Sequence, residues 1–234
     1  AILDAQYPAG YWMHADLGVS PRYRATAWQV LFLAQLGVGS IDPVARAVAY
    51  LLDPNLDAVG AFHLTQGIEG RSATLTGAML WALARTDLAE DPRLVRCWSW
   101  LRDRWAAGAL TPRDRVWVLR ASAAWGHEDW VARLRSALEF EPLDPLTFPL
   151  THQPDALARV EAWCEAGPIA GTAATPPELR GIRDALVAKA RSEPEGGWPL
   201  ERVPGKLWFD PGPVGAPNPW VTVRVLRVVR CLDR

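Results

Sequence analysis

The chain has 234 residues, half of them apolar, and its 25 basic and 26 acidic side chains give a formal net charge of −1. This length and apolar content suit one domain, over residues 1–234, with a substantial buried core. Because the charges nearly balance, no broad positive field attracts a nucleic-acid backbone, and nucleic acid is excluded as an expected partner.

Apolar segments and cysteines set the expected location. The most apolar stretch, residues 25–38, contains two glutamines and is too short to span a bilayer, and the first residues lack the pattern of a signal peptide. Cys97, Cys164 and Cys231 stand far apart and outside metal-binding spacings, which favours buried free thiols in a reducing compartment. The sequence predicts a cytoplasmic protein without a transmembrane segment, metal or cofactor.

The first predicted elements are a pair of helices. Residues 26–37 are apolar on nearly all sides, which predicts a buried inner helix over about 21–37. Asp42-Pro43 then opens an amphipathic outer helix over 42–53, because aspartate is a good N-cap and proline is tolerated in the first helical turn.

The same arrangement returns in the next segment. An apolar helix is predicted over 71–86 and an amphipathic one over 91–105, which Asp91-Pro92 opens. Pro43 and Pro92 are 49 residues apart. Helix pairs that recur at such a period are typical of rings and solenoids of hairpins.

Later repeats are less regular. A third pair is predicted over 112–125 and 127–139, and two further helices over 155–166 and 176–191. The last helix, over 218–232, is of the inner type, since a threonine follows its proline by three positions and an apolar run comes next.

An inner helix without an outer partner at the end of the chain favours closure, which leaves no apolar face open. We therefore predict an all-α fold, an α/α toroid of about five helical hairpins with inner and outer helices. An open solenoid is the alternative. In the closed ring the last helix packs beside the first and buries Val223, Leu226 and Val229, or their neighbours, against Trp28 and Leu31.

Three loops carry a glycine followed by an aromatic residue. Residues 6–12 read QYPAGYW, residues 193–198 read EPEGGW and residues 60–62 read GAF. The first matches the Q-x(2-5)-G-x-W end of the QW motif, the second has Glu for Gln, and the third has Phe for Trp. Through these loops the chain resembles the prenyltransferase and squalene-cyclase repeat family, which implies the α/α-toroid fold.

In that family the QW loops are structural and the catalytic motifs lie elsewhere. Glycine permits a tight turn, the aromatic ring packs on a helix end, and the Gln or Glu side chain caps a neighbouring helix. Neither the D-x-D-D acid motif of the family's class II cyclases nor the diphosphate-binding D-D-x-x-D motif occurs in this sequence. The cysteines also depart from the zinc pattern of protein prenyltransferases.

Thirteen tryptophans against five phenylalanines and four tyrosines indicate large aromatic layers or an aromatic-lined cavity. In a toroid, aromatic side chains of the inner helices and loops line the central funnel, where they could hold a polyene or stabilise a cation. The alternative is that they fill a small core. The predicted ligand-binding residues are Tyr23, Trp28, Phe62, Trp81, Trp117 and Trp220.

Two side chains are candidates for catalysis. Asp114 opens a predicted inner helix, where a carboxyl that faces an apolar funnel could act as an acid. An acidic residue in a first helical turn is also stabilised by the helix dipole, which is the structural alternative. His63 follows Phe62 in a loop near the funnel, although a lone histidine is more often a hydrogen-bonded loop residue.

Two functions remain open at this point. The first is a non-catalytic or divergent toroid that binds an apolar, isoprenoid-like ligand or a protein partner in its funnel. The alternative is a divergent terpene cyclase or prenyl-transferring enzyme that uses an unrecognised acid. The missing acid motif favours the first.

Overall fold

The computed structural model describes residues 1–53, 55–65, 68–86, 88, 90–143, 145–167, 175–192 and 196–233. Within these ranges the regular structure is helical and the few β-bridges are isolated, which confirms the predicted all-α class. No helix in the described ranges is long and apolar enough to cross a membrane. The α-helices are α1 (Thr26–Gln35), α2 (Asp42–Leu52), α3 (Ala73–Leu83), α4 (Arg93–Ala106), α5 (Pro112–Ala124), α6 (Glu128–Ser136), α7 (Ala156–Glu165), α8 (Pro177–Ser192) and α9 (Pro219–Leu232).

The predicted helices are present, and one of them starts late. Residue 21 was expected to open the first inner helix, but residues 21–25 form turns and bends, and α1 begins at Thr26 after an extended Ala25. The other predicted bounds agree with the structure within three residues. The apolar periodicity and the Asp-Pro pairs therefore located the helices.

From α1 to α6, more deeply buried inner helices alternate with outer helices that bury one face. Almost every residue of α1 and α3 is buried, whereas α2, α4 and α6 each bury one face. α1 packs on α2 and α3, α3 packs on α4 and α5, and α5 packs on α6 and α7. Both α7 and α8 pack on α9. The helices α1, α3, α5, α7 and α9 thus form a row, and a closed toroid stays a prediction.

Gly77 brings the backbone of α3 close to that of α5. A Cβ atom added to Gly77 would lie 2.9 Å from the carbonyl carbon of Trp117 and 2.9 Å from the amide nitrogen of Val118. Backbone atoms inside a packed helix cannot move aside as the end of a flexible side chain can. Glycine is therefore required for this helix contact.

The loops before α1 and α3 make the same glycine contact, fifty residues apart. Gly10 and Gly60 both have positive φ, of 100° and 96°. A Cβ on Gly10 would lie 2.8 Å from the carbonyl oxygen of Arg46 in α2, and a Cβ on Gly60 would lie 2.4 Å from that of Arg96 in α4. Each loop therefore passes directly over the outer helix that follows its inner helix.

The aromatic residue of each loop is tied to the inner helix by the same hydrogen bond. The backbone N–H of Trp12 donates to the hydroxyl of Thr26 in α1 at 3.1 Å, and that of Phe62 donates to the hydroxyl of Thr76 in α3 at 3.0 Å. Both aromatic rings are fully buried. The helix pairs thus repeat at a spacing of fifty residues, and the inner-helix threonine belongs to the repeat.

The third predicted loop shares part of this arrangement. The backbone N–H of Trp198 donates to the hydroxyl of Thr222 in α9 at 3.1 Å. Residues 193–195, which include the glutamate predicted to stand for the motif's glutamine, lie outside the described residues. In the first loop, the Gln6 side-chain amide donates a hydrogen bond to the carbonyl of Pro43 at the start of α2, at 2.8 Å. It therefore contacts this helix as a donor, whereas a helix cap accepts from backbone N–H groups.

Of the three residues predicted to be buried in the last helix, Val229 is half-buried against the core, and the prediction is wrong for Val223 and Leu226. Val223 is 42% exposed and Leu226 is 51% exposed, while Val221, Val225 and Val228 are fully buried in a cluster with side chains of α7 and α8. The valines of α9 occur on more than one side of the helix, so the sequence alone does not decide which side is buried. In the structure the buried side is the one that carries Arg224. The loop before α9 contacts the turn that precedes the first inner helix, where Trp208 Nε1 donates to the carbonyl of Arg24 at 2.9 Å.

Gly77→Ala is expected to lower the free energy of unfolding by about 1–3 kcal/mol, because overpacking against α5 outweighs the gain in helix propensity. Gly181→Ala, in α8, is the matched control because nothing lies within 4 Å of an added Cβ. This control should raise the free energy by up to about 1 kcal/mol. Urea denaturation followed by circular dichroism measures both values, and equal effects at the two positions would contradict the close helix approach.

Candidate functional site

A cavity of about 670 Å³ lies between the end of α1 and the helix α9. Its walls also include the C-terminal end of α3, the middle of α5 and the second half of α7. The loop over residues 36–41 and the loop residues Phe148 and Leu150 complete the lining. This volume is within the usual range for small-molecule sites.

One side of the cavity is apolar. The ring of Trp220 in α9 stacks on that of Phe148 at 5.6 Å, with an angle of 9° between the planes. Trp220 and Val223 are each 42% exposed, and both line the cavity. The apolar lining residues are Leu36, Val38, Ile41, Phe148, Leu150, Trp220, Val223 and Val228.

Another part of the lining is charged, and its carboxylates are held by two buried arginines. Arg120 of α5 donates to both oxygens of Glu165, at 2.9 and 2.7 Å. Arg224 of α9 donates to both oxygens of Glu161, at 2.9 Å each, and to both oxygens of Asp155. Burial acts to lower the pKa of Arg224, but Asp155 and Glu161 outweigh burial and raise it.

Two further arginines on this side have no carboxylate of their own. In the part of the chain that the structure describes, neither Arg85 nor Arg227 lies within 4.0 Å of a carboxylate oxygen. The guanidinium of Arg85 lies 3.8 Å from the centre of the Trp81 ring and donates to the Trp81 carbonyl at 2.8 Å. Burial lowers the pKa of Arg85, Glu165 opposes this, and Arg120 and Arg227 lower it further.

Of the predicted ligand-binding aromatics, Trp81 and Trp220 line the cavity. Trp28, Phe62 and Trp117 have no exposed surface and are part of the core, so the core-filling alternative applies to them. Tyr23 is half-buried and packs edge-on against Trp28 at 5.1 Å, away from the cavity walls.

Asp114 caps a helix. Its side chain accepts from the Thr111 N–H at 2.7 Å while its own N–H donates to the Thr111 hydroxyl, which is a capping box at the start of α5. The Thr74 hydroxyl donates to the other carboxylate oxygen at 2.5 Å. Asp114 therefore has the structural role that was weighed against catalysis, and it lies outside the cavity lining.

His63 also has a structural partner. Its Nε2 lies 3.0 Å from a carboxylate oxygen of Asp57, which accepts from Arg71 Nε at 2.6 Å. Burial raises the pKa of Asp57, but hydrogen bonds from the Ala61 N–H, His63 and Arg71 outweigh burial and lower it to about 2. This cluster fixes the loop before α3, and His63 is not among the cavity-lining residues.

The expectation of three free cysteines is wrong. Cys164 of α7 and Cys231 of α9 form a disulfide, with Cα atoms 6.0 Å apart, and Cys164 lies in the cavity wall. Their separation of 67 residues gave no sign of this pairing. Cys97 is free, and burial raises the pKa of its thiol to about 12. The cytoplasmic location stays a prediction and loses the support that it drew from the cysteines.

Sequence reasoning missed the charged side of the cavity. Arg120 interrupts the apolar run of a buried helix and Arg85 ends another, and a charge at such a position signals a buried ion pair or a site. Among the described residues, no group of three or more His, Cys, Asp or Glu side chains is placed to hold a metal.

Comparison of the chain with protein-family models, with curated proteins and with solved structures gave no match. The resemblance to the prenyltransferase and squalene-cyclase repeat family therefore stays a prediction from the loop motifs and the helical repeat.

Asp57→Asn is expected to lower the free energy of unfolding by about 2 kcal/mol near neutral pH. Because the folded pKa lies below the ordinary value of 3.8, the contribution of the carboxylate is complete above that value and is lost as the pH falls towards 2. The difference between wild type and variant should therefore shrink in urea denaturation as the pH is lowered below about 4.

Asp103→Asn, at an exposed position of α4, is the control and should change stability little at any pH. If the Asp57→Asn penalty were the same at every pH, the ion cluster would not be its cause.

Proposed function

We propose that this protein binds an apolar, isoprenoid-like ligand in the cavity between α1 and α9 and does not catalyse cyclisation. The observation that carries the proposal is the cavity itself, with the stacked pair Phe148 and Trp220 along one side. Ligand pockets are typically lined by apolar and aromatic side chains with a few placed polar groups, and this lining has both.

The exposed apolar residues of α9 support this location. Trp220 and Val223 leave about two fifths of their surfaces uncovered, and both face the same cavity as Leu150. An apolar ligand would remove this surface from water and gain about 25 cal/mol for each Å² that it covers. A gain of this kind needs no reaction chemistry.

Farnesol, a neutral isoprenoid alcohol, should bind with a stoichiometry of one in isothermal titration calorimetry. Val223→Trp fills the cavity from α9 and should weaken binding at least about tenfold, since contacts worth about 1.4 kcal/mol or more are blocked. Val95→Trp, at an exposed position of the outer helix α4, is the matched control and should leave binding unchanged. Failure of farnesol to bind, or equal effects of the two variants, would overturn the proposal.

The alternative of a divergent cyclase requires an acid in the cavity. Alkene protonation needs a carboxyl that keeps its proton and is backed by hydrogen bonds. The cavity carboxylates Glu161 and Glu165 accept hydrogen bonds from guanidinium groups on both oxygens, which suits a charged carboxylate and not a proton donor. Asp114 accepts two N–H or O–H groups at one oxygen and one at the other.

Incubation with squalene and with geranylgeranyl diphosphate should therefore give no cyclised product when the extracts are analysed by mass spectrometry. A cyclised product that disappeared in Asp114→Asn, with the fold intact by circular dichroism, would establish the enzyme and identify its acid. A product that survived this substitution but was lost in Glu165→Gln would move the acid to the cavity.

A further inference from the structure

The charged side of the cavity holds more positive than negative charge. Four arginines line it, Arg85, Arg120, Arg224 and Arg227, together with two glutamates, Glu161 and Glu165. Asp155 adds a third carboxylate behind Arg224. The excess is therefore positive whichever carboxylates are counted.

The carboxylates are already used by two of these arginines. Glu165 accepts hydrogen bonds from Arg120 on both oxygens, and Arg224 donates hydrogen bonds to both Glu161 and Asp155. Glu165 still attracts Arg85 over a longer distance, and this attraction opposes the fall of the Arg85 pKa. It is not within 4.0 Å of Arg85, and its hydrogen-bonding oxygens point to Arg120.

Arg85 and Arg227 are therefore two like charges that share a cavity wall. The two positive charges repel each other, and Arg227 is accordingly among the groups that lower the pKa of Arg85. Arg85 uses one of its five N–H donors, on the Trp81 carbonyl, in the described structure. Guanidinium groups with free donors are the usual partners of carboxylate and phosphate, which they bind through paired hydrogen bonds.

Two of the lining residues, Trp81 and Arg120, carry further donors. Nε1 of Trp81 and Nη1 of Arg120 are buried and have no hydrogen-bond partner in the described ranges. Nη1 of Arg120 stands 3.6 Å from Glu161, which is beyond hydrogen-bond distance. A buried donor without a partner is costly, and an occupant that accepts hydrogen bonds would relieve this cost after a small shift of either side chain.

We propose that Arg85 and Arg227 form an anion-binding subsite, so that the ligand of this cavity is amphipathic, with an apolar chain and an anionic head, a carboxylate or a phosphate ester. The chain lies along Phe148 and Trp220, and the head meets the two arginines. This inference rests on the proposed function, because it takes the same cavity as the binding site.

The test compares ligands that share one chain and differ in their heads. Decanol, decanoate and decyl phosphate are titrated calorimetrically into the whole chain. Each anion should bind roughly tenfold to a hundredfold more tightly than decanol, as expected for hydrogen bonds to charged groups. This advantage should shrink as sodium chloride is raised, whereas the affinity for decanol should not fall. The anion that binds more tightly identifies the head group.

Arg227→Gln and Arg85→Gln should each remove most of the anion advantage, measured in each variant as the ratio of anion affinity to decanol affinity. Arg227 is exposed, so its variant keeps the test valid even if loss of the Arg85 contact with Trp81 impairs folding. Arg230→Gln, exposed on the same helix and outside the cavity lining, is the matched control and should retain the full advantage.

Anions that bind no better than decanol, or equal losses in Arg227→Gln and Arg230→Gln, would overturn the anion subsite. The neutral ligand separates this failure from that of the proposed function. If farnesol binds but the anions have no advantage, the cavity site stands and the subsite falls. If farnesol does not bind, the isoprenoid proposal falls whatever the anions do.

Discussion

A chain of buried charges joins the helices α5, α7 and α9. Arg224 of α9 binds Asp155, which caps the start of α7, and Glu161 in the same helix. Removing one partner from such a pair leaves an uncompensated buried charge and typically costs about 3–5 kcal/mol. Because successive helical residues point about 100° apart, a shift of α9 by one residue would turn Arg224 away from both carboxylates. The network therefore fixes the rotation of the last helix.

The character of the cavity follows from this rotation. With Arg224 turned towards α7, the face of α9 that carries Trp220 and Val223 is left open to the cavity, and Arg227 follows one turn later at the same wall. The carboxylates that could have neutralised this wall are already paired with Arg120 and Arg224 in the contacts between helices. An apolar side and a cationic side thus meet in one cavity as a result of how the fold is held together, and the disulfide Cys164–Cys231 joins the same two helices.

The sequence was sufficient for the helices and insufficient for the site. Apolar periodicity placed α3 and α5, and the Asp-Pro pairs marked the starts of α2 and α4, because these signals are local. The buried face of α9 could not be predicted, since its valines occur on more than one side and a distant pair, Arg224 with Asp155, decides between them. Predictions about aromatic side chains were limited for the same reason: Trp81 reaches the cavity and Trp117, its edge-on neighbour at 5.5 Å, does not.

The paired loop contacts have a consequence for how such a chain can change in length. Trp12 with Thr26 and Phe62 with Thr76 are the same connection at the same separation of 14 residues, so each loop, inner helix and outer helix forms one unit. A unit that carries its own internal ties can be duplicated or deleted whole without breaking the ties of its neighbours. Duplication or deletion of one such unit would therefore change the chain length by fifty residues, while insertions of other lengths would fit only in the loops.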